Sequence, residues 1–141
     1  MEPALRVAFA SNDRTHVNQH FGSAEGLFIY DVSSTRAQLV AVGEFPPTAM
    51  DGNEDKLAAK IDFLAGCAAV FVMAIGASAI RQLMAHGVQP MRIEGGNRIE
   101  DILAEVRAGL RDGGVGWIDK ALNRRADPQR LHRMLTEAWA E

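Results

Sequence analysis

Two histidines four residues apart, His16 and His20, sit in the polar stretch NDRTHVNQHFG between two strand-like runs. Imidazole is a borderline ligand that suits iron and other transition metals, and at neutral pH it binds without first releasing a proton. His20 is followed by Phe21, an apolar residue able to pin the loop to a core. Gly22 comes next, and it either leaves room for a ligand or permits an unusual backbone angle. On spacing alone two readings of His20 stand: a solvated loop residue, or an imidazole presented as a metal ligand. His16 reads as a surface residue, with a second ligand from the same loop as the alternative.

A second candidate is MAIGASAIR, residues 73–81. A buried strand here runs into a glycine turn that opens a helix, so the N–H groups of Gly76, Ala77 and Ser78 are donors for an anion. Arg81, one turn along, adds positive charge. The plain alternative is an ordinary strand-to-helix connection, since the stretch has neither a P-loop lysine nor a Rossmann glycine triad. Ligands of open α/β sheets nonetheless sit beyond strand ends, where this turn falls. Ser11 and Asn12, closing the first strand at the same end, complete the candidate contacts. The third reading this turn allows is an anion- or nucleotide-binding enzyme.

Composition narrows the chemistry. The 141 residues carry a formal charge of -3 and a single cysteine, Cys67. A net negative chain is a poor general nucleic-acid binder. One thiol cannot ligate an iron–sulfur cluster of the ordinary kind, which takes about four, nor complete a structural zinc site. Any cluster bound here must arrive largely assembled. Cys67 itself begins an apolar run and reads as a buried, inert thiol. His86, next to a helix-ending Gly87, suits the helix dipole, and His132 reads as solvated. No Gly-x-Ser-x-Gly elbow appears, and the first strand lacks the central acid of a two-metal nuclease. No secretory signal or membrane-length apolar run is visible, which points to the cytoplasm.

Around these residues the pattern predicts an α/β domain. Strands are expected at Leu5–Ser11, Gly26–Val32 and Gln38–Phe45, the last two as an antiparallel hairpin stopped by Pro46 and Pro47. A helix follows, capped by Asn53, with Leu57, Ile61 and Leu64 on its inner face. The apolar run Cys67–Ile75 reads as a strand covered on both sides. The segment Gly76–Gly87 reads as a helix with Ile80, Leu83 and Met84 inward, and VQPMRIEG as a short strand closing a right-handed parallel unit. A last helix, Asn97–Leu110, has capping-box spacing between Asn97 and Glu100 and a stripe of Ile99, Leu103, Val106 and Leu110. Glycines gather after Arg111, so residues 1–111 are taken as the core domain and 112–141 as a Gly-rich linker with a helical extension, capped by Asp127 and Pro128.

The pieces VAFASNDRTHVNQHFGSAEGLFIYDV and NEDKLAAKIDFLAGCAAVFVMAIGASAIRQLMAHGVQP, with the following helix, resemble the dinitrogenase iron–molybdenum cofactor biosynthesis family over about Leu5 to Leu110. The resemblance implies a ribonuclease-H-like mixed sheet of about five strands, without nuclease activity. It also implies transient binding of the iron–molybdenum cofactor or its iron–sulfur precursor, with His20 in the position of the family's cofactor-binding histidine. The partners it implies are a nitrogenase cofactor assembly scaffold and cofactor-synthesising proteins, with no nucleic acid and no membrane. Some relatives have further thiols near the strand end where this chain has VFVMAIG, so Met73 is at best a weaker ligand. A scaffold-docking protein, with its tail helix as the interface, is the competing reading.

Overall fold

A computed structural model of the chain describes residues 4–46, 54–94 and 96–126. The elements are β1 (Ala4–Ala10), β2 (His16–Val17), β3 (Gly26–Ser33), β4 (Ala37–Glu44), α1 (Glu54–Phe63), β5 (Ala69–Val72), α2 (Ala77–Ala85), β6 (Gln89–Arg92), β7 (Asn97–Arg98), α3 (Ile99–Asp112) and α4 (Gly116–Ala126). Five strands form one mixed sheet in the order β4-β3-β1-β5-β6, and β2 pairs with β7 in a separate two-stranded ribbon. β3 is antiparallel to both β1 and β4, whereas β5 is parallel to β1 and β6. The early hairpin and the later parallel unit are those the sequence predicts.

β1 is central because Val7, Ala8, Phe9 and Ala10 are all fully buried, so both faces of the strand need cover. One face packs Leu5, Val7 and Phe9 with Ala69 and Phe71 under α3 and α4. The other packs Ala8, Ala10, Leu27, Val70 and Val72 with Ile61 of α1, Leu64 just after it, and Ala79 and Leu83 of α2. Aromatic rings knit the first face. Phe9 stacks on Phe71 at 5.1 Å, Tyr30 meets Phe9 edge-on at 5.6 Å, and Trp117 of α4 meets Phe71 edge-on at 6.0 Å.

Several boundaries differ from the sequence expectations, each for a physical reason. β5 spans four residues only, because beyond Val72 the backbone of Met73 and Ala74 pairs with the loop at Gln19–Phe21. α2 turns Ala79 and Leu83 inward, one helical stripe, which leaves Met84 56% exposed and Ile80 half-buried. The expected capping box does not form. Asn97 and Arg98 are in β7, facing Val17 and His16, and the Ile99 N–H donates to Thr15 O at 2.9 Å. The Asn53 cap and the tail from Asp127 lie outside the described residues.

The glycine-rich stretch after Arg111 gives way within a few residues to α4, which the composition break concealed. Ile118, 1% exposed, and Ala121 join the core face beneath α3. Gly109 of α3 makes this possible, since a Cβ there would come within 2.6 Å of Ile118 Cδ1. The sheet edges carry irregularities of their own. The β3–β4 register slips between Ile29 and Tyr30, leaving Val40 without a partner, and Pro90 lies in the short edge strand β6. Among the described residues no helix is long and apolar enough to cross a membrane.

If α4 belongs to the cooperative unit, Ile118→Ala should destabilise the whole chain by about 2–5 kcal/mol. Urea unfolding would show this as a lower midpoint at unchanged slope. An unmoved midpoint would mean that α4 melts independently.

Candidate functional site

The loop from Ser11 to Glu25 is built on two polar side chains that the fold buries. Ser11 and Lys60 are the buried polar or charged residues among those described, at 0% and 3% exposure. Each is tied to this loop. Ser11 Oγ accepts the N–H groups of Asp13 and Arg14 at 3.2 and 3.0 Å and donates to Asp13 Oδ1 at 3.0 Å, closing the turn after β1. Lys60 Nζ donates to the carbonyls of Phe21 and Gly22 at 3.2 and 2.8 Å and lies 5.5 Å from the Phe45 ring centre. A buried ammonium is tolerated only where such acceptors replace water.

Sequence reasoning passed over Lys60, although a signal was present. It lies three residues after Leu57 and four before Leu64, on the apolar stripe of α1, where a lysine has to find partners inside. The loop is also stitched to the sheet. Phe21, fully buried, donates its N–H to Ala74 O at 2.8 Å, while the Met73 N–H donates to Gln19 O at 3.0 Å. Gln19 Oε1 in turn accepts the N–H groups of Glu25 and Gly26 at 2.9 and 3.3 Å. His20 therefore stands between two anchored neighbours, bridged in parallel to Ala74, with its own side chain exposed.

Beside His20 lies an open cleft of about 440 Å³ lined by His20, Gly22, Leu57, Ala74, Ile75, Gly76, Ser78 and Ala79. The structure thus brings together two sites that the sequence places more than fifty residues apart. Gly76 caps α2 with an extended backbone and without a side-chain hydrogen bond, and no acidic residue sits in the first turn. The first helical bond runs from Ile80 N–H to Gly76 O, so the N–H groups of Ala77, Ser78 and Ala79 precede the ladder. Ser78 Oγ accepts a hydrogen bond from Gln82 Nε2 at 3.1 Å.

The two cleft glycines are informative. A Cβ on Gly22 or Gly76 would have nothing within 4 Å, and neither residue has the left-handed backbone that favours glycine. Among the described residues neither the backbone angle nor packing calls for glycine at these positions, and both open onto free space.

Other candidates lie elsewhere. Ser11 is buried in its turn, and Asn12 pairs with Asn18, whose Nδ2 donates to Asn12 Oδ1 at 2.8 Å; neither lines the cleft. Ala77 opens α2 without lining the cleft, and Arg81 is exposed on the helix outside it. Met73 borders a different hollow with Arg92, Ile93 and Glu94. His16 belongs to β2, and its Nδ1 lies 2.9 Å from Asp13 Oδ2. Asp13 is held well below the usual carboxylate range, first by the His16 backbone N–H, then by the His16 ring and the Thr15 N–H. Among the described residues no three His, Cys, Asp or Glu side chains converge as a metal site. Among the described residues that line the cleft, His20 is the one imidazole, thiol or carboxylate.

With this geometry in view, similarity to known proteins becomes specific. The family model described as "Dinitrogenase iron-molybdenum cofactor" matches residues 3–109, a span that includes both walls of the cleft. The chain belongs to that family. It is 50% identical to Protein NifX of Azotobacter vinelandii over 139 residues, covering 97% of this chain and 88% of that protein. It is 35% identical to Protein NifX of Klebsiella pneumoniae over 140 residues, covering 96% and 84% of the two chains. Among solved structures, PH0822 aligns with a TM-score of 0.57 and 26% identity, covering 74% of this chain and 90% of that one. The family region ends within α3, so the described helix α4 lies beyond it.

Cys67 lies at the opposite end of β5 from Ala74, lining a hollow of about 220 Å³ with Arg6, His86 and Arg124. Burial pushes its thiol up to about 12, against an ordinary value of 9.0, with Arg6 a smaller opposing influence. The fold prefers the protonated thiol, so this contribution to stability is complete below the ordinary value and fades as pH climbs toward about 12. At pH 8 iodoacetamide should therefore modify Cys67 about a hundredfold or more slowly than free cysteine.

A second prediction concerns Lys60. Lys60→Met keeps the apolar stem but removes the donor to Phe21 and Gly22, and should cost no more than about 2 kcal/mol. Amide exchange at residues 19–23 should accelerate while exchange in β1 and β5 stays slow. Uniform acceleration would instead mark Lys60 as a general core residue.

Proposed function

We propose that this chain is a non-catalytic carrier for the iron–molybdenum cofactor or its iron–sulfur precursor, acting between a cofactor assembly scaffold and the proteins that synthesise the cofactor. The observation that carries the reading is the exposed His20 imidazole on a doubly anchored loop. It faces an uncapped helix start across a cleft with two glycines that the packing of the described residues does not require. Membership in the dinitrogenase iron–molybdenum cofactor family supports a role in nitrogenase cofactor assembly and suggests the cargo.

The chemistry is consistent with loose holding. A ready-made metal–sulfur cluster already has sulfide bridging its metals, so the carrier need supply few ligands. His20 donates one imidazole nitrogen to an exposed metal. The N–H groups at the start of α2 offer donors and a positive dipole end to an anionic cluster surface. Leu57, Ile75 and Ala79 give the cleft apolar walls. One coordinate bond with several weak contacts leaves the cargo free to depart to a better-furnished acceptor. Arg81, Ser11 and Asn12 stay outside this core set and act at most through the loop or the surrounding field.

Anaerobic uptake of the isolated precursor by purified protein, followed by its absorption spectrum, tests the reading. Uptake should be stoichiometric, and His20→Ala should lose most of it while keeping the thermal midpoint. Gly22→Val should also weaken uptake without loss of stability, because its side chain enters open space. Unchanged uptake in the His20 variant would remove His20 from the site.

A further inference from the structure

On the other face of the sheet, a further cavity of about 540 Å³ opens between α3 and the β3–β4 edge. It shares no lining residue with the His20 cleft. Its apolar wall is Tyr30, Ala37, Ile99, Leu103 and Ala104, and three arginines surround it: Arg14, Arg98 and Arg107. In a chain of net charge -3 this is a local concentration of guanidinium groups.

The three are not equally engaged. Arg98 lies 3.4 Å from Glu100 in an exposed pair. Arg107 has its Nε buried without a hydrogen-bond partner, the one such side-chain atom among the described residues. That Nε is enclosed; the terminal Nη groups, without a hydrogen bond or ion pair among the described residues, are the part of Arg107 open to an acceptor in the cavity. Arg14 has no ion pair among the described residues and is held at φ 64 by a turn whose carboxylate, Asp13, is committed to Thr15 and His16. The neighbouring acid therefore does not satisfy it.

We propose that this cavity binds a small multivalent oxyanion, a phosphate or an organic di- or tricarboxylate, held by Arg107 and Arg14 with Arg98 at the lip. Guanidinium forks match the geometry of both anions and bind them through paired, charge-assisted hydrogen bonds. Glu100 and Asp101 also border the cavity. Their charge opposes a long polyanion lying across the surface, whereas a compact anion seated against Arg107 keeps its distance from them. This disfavours nucleic acid as the occupant.

The test is a titration of the full chain with inorganic phosphate and, separately, with citrate, following backbone amide and arginine Nε–H resonances by NMR. At least one anion should give saturable shifts at Arg14, Arg98–Asp101 and the Arg107 Nε–H. Preference between the two arms identifies which kind of oxyanion the site takes. Arg107→Met should weaken binding by about tenfold or more. The exposed Arg14→Ala, which leaves the core untouched, should weaken it severalfold and serves if the Arg107 variant does not fold. His20→Ala should leave it unchanged. Failure of both anions to saturate at tens of millimolar overturns the proposal, as do shifts centred on the His20 cleft or affinity unaffected in both arginine variants.

Discussion

The ammonium of Lys60, buried in α1 and donating to the carbonyls of Phe21 and Gly22, is the interaction on which the site depends. A loop of fifteen residues between β1 and β3 has no regular structure beyond two residues of β2, and alone it would present His20 in many positions. Three kinds of restraint remove that freedom. Ser11 fixes the departure from β1, the β2–β7 pairing fixes the middle, and Lys60 with the Phe21–Ala74 bond fixes the end. His20 keeps an exposed side chain on a backbone that cannot wander. Preorganisation of this kind would let the single weak ligand proposed above select a geometry without binding tightly.

The same logic explains why the site lies at this end of the sheet. β1 and β5 run parallel, and beyond their ends the Gln19–Phe21 backbone continues the pairing that β1 abandons. That brings the loop against the turn leading into α2. The helix start, polarised by its own peptide dipoles and lacking an acidic first turn, then faces the imidazole. The cleft arises from topology as much as from the residues that line it.

Much of this was legible in the sequence, and the failures have identifiable causes. The buried runs of β1 and β5, the hairpin and the stripe of α3 follow from period and composition, which report burial directly. His20, Gly76 and Ser78 stood out as candidates from local spacing, each with a plain loop or turn reading beside it, and their meeting in one cleft required the fold. What remained hidden was non-local. Asn97 looks like a helix cap until β2 arrives to pair with it, and Met84 looks inward until the Ala79–Leu83 stripe is seen to face the sheet. α4 was obscured by the glycines before it, and its burial rests on a missing side chain at Gly109. Arg107 is ordinary in sequence; that its Nε is enclosed without a partner appears only in the fold.

The irregular borders of the sheet bear on how copies of this protein meet. At one border the slipped register at Val40 breaks the even row of hydrogen-bonding groups that another strand would need, despite the exposed Val40 and Val42. At the other, a four-residue strand interrupted by Pro90 offers little to template. Crowded molecules are thus steered away from strand-on-strand stacking and toward encounters through side chains, which part readily. A carrier of the kind proposed above gains from neighbours that do not stick.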